Sequence, residues 1–246
     1  PNSTVFSLSI NKSKKEVYTH FQNAAQNRQS LFAILFDPEE FDGKAIENQL
    51  KRIPKNTTHI LVGGSTATQS QTQVAVRYIK EQCKLPVVLF PGDYRHITAE
   101  ADALLFLSLL SGDNAEYLIH QQIKSVDILR DTDIEIIPTG YILIDGGIET
   151  AVQRVSNTQP LSQNNIDLIV NTALAGQYSG KKLIYLEAGS GAVNRVSVQI
   201  IEAVKKAITI PLIVGGGIRT QQQLQDAYRA GADMVVVGNA FEKGDF

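Results

Sequence analysis

Acids and glycines gather where short apolar runs of this chain end. Three such ends fall late: EAGSG (Glu187 to Gly191), GGGIRT (Gly215 to Thr220) and GNAF (Gly238 to Phe241). Glycine lets main-chain N–H groups approach a ligand and adopt positive φ, and amides opening a helix attract anions. One Gly-rich turn serves merely to reverse a chain; three of them point to a phosphate site. Arg219 either adds charge to that site or faces solvent. Glu187 stands beside the first of these loops, placed to take a proton from a hydroxyl of the same small molecule. Its plainer reading is a structural acid bonded to nearby backbone.

Early in the chain, FDPEEFDG brings Asp37, Glu39 and Glu40 to the end of an apolar run. Carboxylates there suit Mg²⁺, which takes oxygen ligands and shares its shell with substrate phosphates. Asp-Pro also opens turns, and Glu39 and Glu40 also read as a helix start. VGGSTAT offers Ser65 and Thr66 either to a phosphate or metal or as caps for a helix beginning near Thr68. His20, His59, His96 and His120 have no metal-ligand spacing.

These residues need a frame. Eight β-rich runs recur: LFAILF (31–36), HILVG (59–63), PVVLF (86–90), ALLFL (103–107), IEIIPT (134–139), IYLEA (184–188), PLIVG (211–215) and MVVVG (234–238). Several are apolar without alternation, as in parallel strands buried on both faces. Helix-forming segments lie between most of them, at 68–82, 114–129, 196–207 and 221–230, with another at 164–178. This alternation predicts a (β/α)8 barrel, whose active-site face lies at the C-terminal ends of its strands. A doubly wound open sheet shares the pattern but is less suited to eight strands. Runs starting at 86 and 103 leave space for a loop rather than a barrel helix. Those starting at 134 and 184 leave room for an excursion, YILIDGGIETAVQRVSNTQ. The expectation is a single TIM-barrel domain over 1–246, its helix after strand three replaced by a loop.

Composition narrows the function classes. The 246 residues carry 23 Lys+Arg against 25 Asp+Glu, a net charge of −2 that argues against nucleic-acid binding. The lone Cys83 excludes an intramolecular disulfide and fits a reducing, cytoplasmic setting. No apolar stretch approaches the roughly 20 residues of a transmembrane helix, which leaves only peripheral contact with a membrane.

Taken in order, FDPEE, VGGST, LFPG, PTGYILIDGG, YLEAGSG, GGGIRT and GADMVVVGNAFE resemble geranylgeranylglyceryl phosphate synthases and the related PcrB-type prenylglyceryl phosphate synthases, from Leu31 to Glu242. The specific part is YLEAGSG with GGGI and VGNA in register. The short third interval is also similar to this family, whose modified barrel replaces one helix with a loop. FDPEE and LFPG look more like its bacterial-and-archaeal second branch than its firmicute one.

The resemblance implies a Mg²⁺-dependent prenyltransferase of lipid biosynthesis. It would join a polyprenyl diphosphate, geranylgeranyl first among them, to the C3 hydroxyl of sn-glycerol-1-phosphate, releasing pyrophosphate and an isoprenoid ether-lipid precursor of phospholipid metabolism. By position, Asp37 and Ser65, or its neighbour Thr66, correspond to the Mg²⁺ site. Tyr185, Leu186, Glu187, Ala188, Gly189, Ser190, Gly191, Gly216, Gly217, Gly238 and Asn239 correspond to the glycerol-phosphate site, with Glu187 as the base. The family also implies a homo-oligomer, dimeric or hexameric. The prenyl tail needs an apolar groove, and LLFLSLL (104–110) either lines it or packs the core. Two alternatives share the late phosphate loops: a metal-independent sugar-phosphate isomerase or lyase, and a non-catalytic barrel that binds phosphometabolites.

Overall fold

The computed structural model describes residues 16–40, 43–64, 66–238 and 241. Eight strands run parallel: β1 (Leu31–Phe36), β2 (His59–Val62), β3 (Val87–Leu89), β4 (Ala103–Leu109), β5 (Glu135–Leu143), β6 (Leu183–Glu187), β7 (Leu212–Gly215) and β8 (Met234–Val237). Each pairs with the next, and β8 pairs with β1 through Leu31 opposite Met234, so the sheet is a closed barrel. The open doubly wound sheet is thereby excluded.

Alternation within the strands divides the core in two. Ala33, Leu61, Val88, Leu105, Ile137, Tyr185, Ile213 and Val236 fill the barrel interior. Their neighbours Phe32, Ile60, Leu104, Ile184, Leu186, Val214 and Val235 pack outward. Helices α2 (Gly43–Arg52), α3 (Gln69–Gln82), α4 (Gln121–Leu129), α6 (Ile166–Tyr178), α7 (Val198–Ala207) and α8 (Gln221–Arg229) belong to the connections between strands. Thr68, Ser197 and Thr220 cap α3, α7 and α8 at their N-termini, each cap contributing about 1 kcal/mol. Thr68 forms a full capping box with Gln71. Thr66 is therefore not the cap of α3.

A further helix, α1 (Val17–Asn27), buries Val17, Phe21 and Ala24 against the interior cluster that holds Leu31 and Met234, at the N-terminal ends of the strands. Glu135, which opens β5, accepts the Val17 amide at 2.6 Å and the Tyr18 amide at 3.3 Å, satisfying two N–H groups of the first turn. α1 is not expected from the sequence pattern above, whereas a 3₁₀ turn at Pro38–Glu40 and α2 follow where Glu39 and Glu40 read as a helix start.

Between β3 and β4 stands only a single 3₁₀ turn, Tyr94–His96, as the short spacing predicts. The long fifth interval differs from expectation. β5 continues through Tyr141 to Leu143, in register with β6, so the excursion begins only at Ile144. It contains the short helix α5 (Ala151–Ser156) before α6. The segment before α4 opens with a π-helical turn, Glu116–His120. Among the described residues, no helix is long and apolar enough to cross a membrane.

Candidate functional site

A cavity of about 390 Å³ occupies the C-terminal mouth of the barrel and extends onto the outer wall of β4. Strand β6 supplies its central acid. Tyr185 and Glu187 alternate inward, whereas Leu186 and Ala188 are fully buried in the outer, helix-facing cluster. The side chains of Leu186 and Ala188 turn away because the strand period is two, while the Ala188 amide nitrogen borders the space beside Gly216. Tyr185, Glu187, Gly189, Ser190 and Gly191 face the cavity.

Glu187 is 6 % exposed, and its Oε1 accepts the Gly189 amide at 2.7 Å. Burial disfavours the charged carboxylate and raises its pKa to about 7, against the opposing pull of that amide and of the nearby Tyr185 hydroxyl. The hydroxyls of Tyr185 and Tyr141 are buried without a hydrogen-bond partner of good geometry. Burial also raises both phenols well above their ordinary range, so they remain neutral donors. With Phe90 they form an aromatic cluster: Phe90 stacks on Tyr185 at 5.0 Å, and Tyr141 meets each of the others edge-on at 5.6 Å.

Beside Glu187 the late loops form a cradle. Gly216 has φ +84°, and a Cβ there would lie 2.5 Å from Glu187 Oε1 and 2.6 Å from the Gly189 amide nitrogen. A side chain would fill the cradle and strike the acid. Gly217 and Gly238 continue the lining. Arg219 lies at the rim, donating to the Ala192 carbonyl at 2.6 Å and more distantly to that of Gly191 at 3.5 Å. Its guanidinium pins the glycine loop instead of standing alone in solvent. Asn239 lies outside the described residues, as does Ser65.

Across the mouth, Asp37 and Thr66 line the same cavity. Asp37 Oδ1 accepts the Glu39 amide at 2.9 Å within the 3₁₀ turn Pro38–Glu40, so this segment turns as Asp-Pro sequences do. Asp37 packs against Gly64 so closely that a Cβ there would stand 2.4 Å from Oδ1. A carboxylate and a hydroxyl lining one cavity are oxygen donors of the kind Mg²⁺ takes, with waters and phosphate oxygens completing its shell. Among the described residues, no cluster of three or more His, Cys, Asp or Glu could hold a metal by itself.

Beyond these residues the lining mixes apolar side chains with polar ones that include Asp93, Gln121 and Gln122. Where a barrel helix is missing, Ile97, Leu104 and Phe106 line a slot between the 3₁₀ turn and α4, and Leu105, Leu107 and Leu109 line the barrel side. LLFLSLL packs in both core layers and also borders the cavity. His96 is buried in the 3₁₀ turn, away from any ligand cluster. The sequence reading passed over Tyr141 and Phe90; Tyr141 sits in PTGYILI, and only the longer β5 turns its ring inward.

A closed (β/α)8 barrel with a glycine cradle, a buried acid at its edge and an apolar side slot defines a class of barrel that handles an anionic head beside a hydrocarbon. The chain belongs to the PcrB family, whose model matches residues 24–245. It is 55 % identical over 223 residues to a geranylgeranylglyceryl phosphate synthase of Zunongwangia profunda, covering 91 % of this chain and 95 % of that one. It is 47 % identical over 227 residues to the same-named protein of Flavobacterium johnsoniae, covering 92 % and 93 %. Its structure is similar to that of (S)-3-O-geranylgeranylglyceryl phosphate synthase from Thermoplasma acidophilum in complex with sn-glycerol-1-phosphate: TM-score 0.84, 33 % identity and 92 % of each chain covered.

Proposed function

We propose that this protein is a prenyltransferase that joins geranylgeranyl diphosphate, or a polyprenyl diphosphate close to it, to the C3 hydroxyl of sn-glycerol-1-phosphate. The observation that carries the reading is the position of Glu187, between a glycine cradle and an apolar slot. The relatives' names and the Thermoplasma complex support it.

The cradle of Gly189, Gly191, Gly216, Gly217 and Gly238 holds the glycerol phosphate at a fixed distance from Glu187, which supplies orientation. Glu187 accepts the proton of the C3 hydroxyl while the hydroxyl oxygen bonds to C1 of the prenyl chain and the C1–O bond to diphosphate breaks. The Tyr141 and Tyr185 hydroxyls donate to substrate oxygens, and the faces of the Phe90 cluster favour positive charge developing on the allylic carbons. Leu104, Phe106 and Ile97 cover the hydrocarbon tail and keep water from the reacting carbon. Asp37, with Thr66 or Ser65, would hold Mg²⁺. When bound there, Mg²⁺ supplies charge neutralisation for the diphosphate.

The exposed row Ile119, Ile123 and Val126 along the outer side of the π-turn and α4 supports a homo-oligomer, for which the family resemblance implies a dimer or a hexamer, in the cytoplasm that the lone Cys83 fits. An isomerase would not need the slot, and a passive binding barrel would not need a buried acid beside the cradle.

Asp37→Asn tests the division of labour. The Michaelis constant for the prenyl diphosphate should rise by about tenfold or more, and that for glycerol phosphate by far less. Equal loss on both substrates would contradict the assignment.

A further inference from the structure

We infer that Tyr141 reads the handedness of the glycerol phosphate, its hydroxyl donating to the C2 hydroxyl oxygen of the sn-1 isomer; this rests on the prenyl-transfer reading above. Telling mirror images apart takes three points of contact. The mouth supplies two of them, the glycine cradle for the phosphate and Glu187 for the C3 hydroxyl, so the third must meet the carbon between. Tyr141 pairs with Tyr185 across β5 and β6, while Leu143 pairs with Glu187. Tyr141 therefore lies two residues below the acid, and its side chain borders the same cavity.

Other polar side chains around the cradle are engaged. Thr150 Oγ1 accepts the Gln153 amide at 3.1 Å as the cap of α5, and Arg219 is held by the Ala192 carbonyl at 2.6 Å. A Cβ at Gly215 would stand 2.7 Å from both Glu187 Oε2 and the Tyr185 hydroxyl oxygen, which places those two groups side by side. The Tyr141 hydroxyl has no partner among the described residues, although it is buried. Its ring is 4 % exposed and packs edge-on against both Phe90 and Tyr185, so the aim of the hydroxyl is fixed by packing. A buried O–H left unpaired is costly, and that cost is relieved when a ligand oxygen accepts it. In sn-glycerol-1-phosphate, held at the cradle and at Glu187, the C2 oxygen faces this donor. In the mirror image held at the same two points it faces away, and the phenol stays unpaired.

The test is steady-state transfer from geranylgeranyl diphosphate to sn-glycerol-1-phosphate, to sn-glycerol-3-phosphate and to 3-hydroxypropyl phosphate, which keeps the phosphate and the reacting hydroxyl but lacks the C2 hydroxyl. The wild type, Tyr141→Phe and Tyr185→Phe are compared, each checked by thermal unfolding. Tyr141→Phe should lower kcat/KM for the 1-phosphate by about tenfold or more and leave the values for the other two acceptors within about threefold. A merely structural role would lower all of them together. Tyr185→Phe should do that, since its hydroxyl stands beside Glu187. Equal losses on the 1-phosphate and 3-hydroxypropyl phosphate in folded Tyr141→Phe, or no loss on either, overturn this inference alone. Should Tyr141→Phe fail to fold, Tyr185→Phe decides: a loss confined to the 1-phosphate gives the C2 contact to Tyr185 and overturns the inference, and an equal loss on all acceptors upholds it. A wild type that forms no prenyl ether from any acceptor overturns the prenyl-transfer reading, and this inference with it.

Discussion

Glu187 has a pKa near 7 because it is buried, and the same burial makes it a stronger base than an exposed carboxylate would be. In the free enzyme kcat/KM should rise with pH through about 7 and level off above it, a profile that Glu187→Gln abolishes. That variant should lose at least about 10²-fold in kcat while still binding glycerol phosphate, measured by calorimetry. It should also gain stability. A carboxyl whose folded pKa lies above its unfolded value of 4.5 destabilises the fold once pH exceeds both, here by up to the order of 3 kcal/mol. Chemical denaturation at pH 8 should find Glu187→Gln more stable than wild type; equal or lower stability would mean the acid is less desolvated than its surroundings indicate. The place of Glu187 at the mouth was legible in YLEAGSG, since it ends an apolar run directly before a glycine loop. The outward direction of the Leu186 and Ala188 side chains was not legible, because a motif runs along the chain whereas a strand shows one face to the mouth. The Tyr141 hydroxyl gave no sequence signal, being one phenol among apolar neighbours.

At the scale of elements, the strands were legible because a parallel barrel buries both faces and writes each strand as an apolar run. The missing helix could be read from spacing alone, since no barrel helix fits between Leu89 and Ala103 once the loops are subtracted. β5 was cut short in the reading because Pro138 and Gly140 look like strand ends; in the barrel Gly140 sits mid-strand, opposite Ser108 and Ile184. α1 escaped notice for another reason. Its role is to plug the N-terminal end of the barrel, a tertiary demand that leaves only three buried side chains in eleven residues. Phe21→Ala should therefore cost about 3–5 kcal/mol in denaturant titration and leave the substrate Michaelis constants unchanged, because α1 and the mouth lie at opposite ends of the strands. A changed KM with unchanged stability would contradict that separation.

Across the whole molecule, two buried titrating groups oppose one another. His59, packed at the base against Phe21 and edge-on to His20, is 1 % exposed and has its pKa lowered to about 4, first by burial and then by His20. Its folded pKa lies below its unfolded value of 6.5, so its contribution is intact above pH 6.5 and declines as pH falls toward 4. Glu187 does the reverse, becoming less destabilising as pH falls from 7 toward 4.5. The opposing slopes should leave wild-type stability nearly flat from pH 6.5 to 4.5. Glu187→Gln should unmask the His59 decline, and Tm measured across this range should fall more steeply in the variant; parallel curves would remove one of the two groups from the account. Function at this scale rests on one barrel bringing an anion cradle, an acid and a hydrocarbon slot to a single mouth. The direct test offers geranylgeranyl diphosphate with sn-glycerol-1-phosphate or sn-glycerol-3-phosphate, with Mg²⁺ and with EDTA, and looks for the prenyl ether by mass spectrometry. The account predicts ether from the 1-phosphate in the presence of Mg²⁺ and little from the 3-phosphate or with EDTA; no ether under any of these conditions would contradict it.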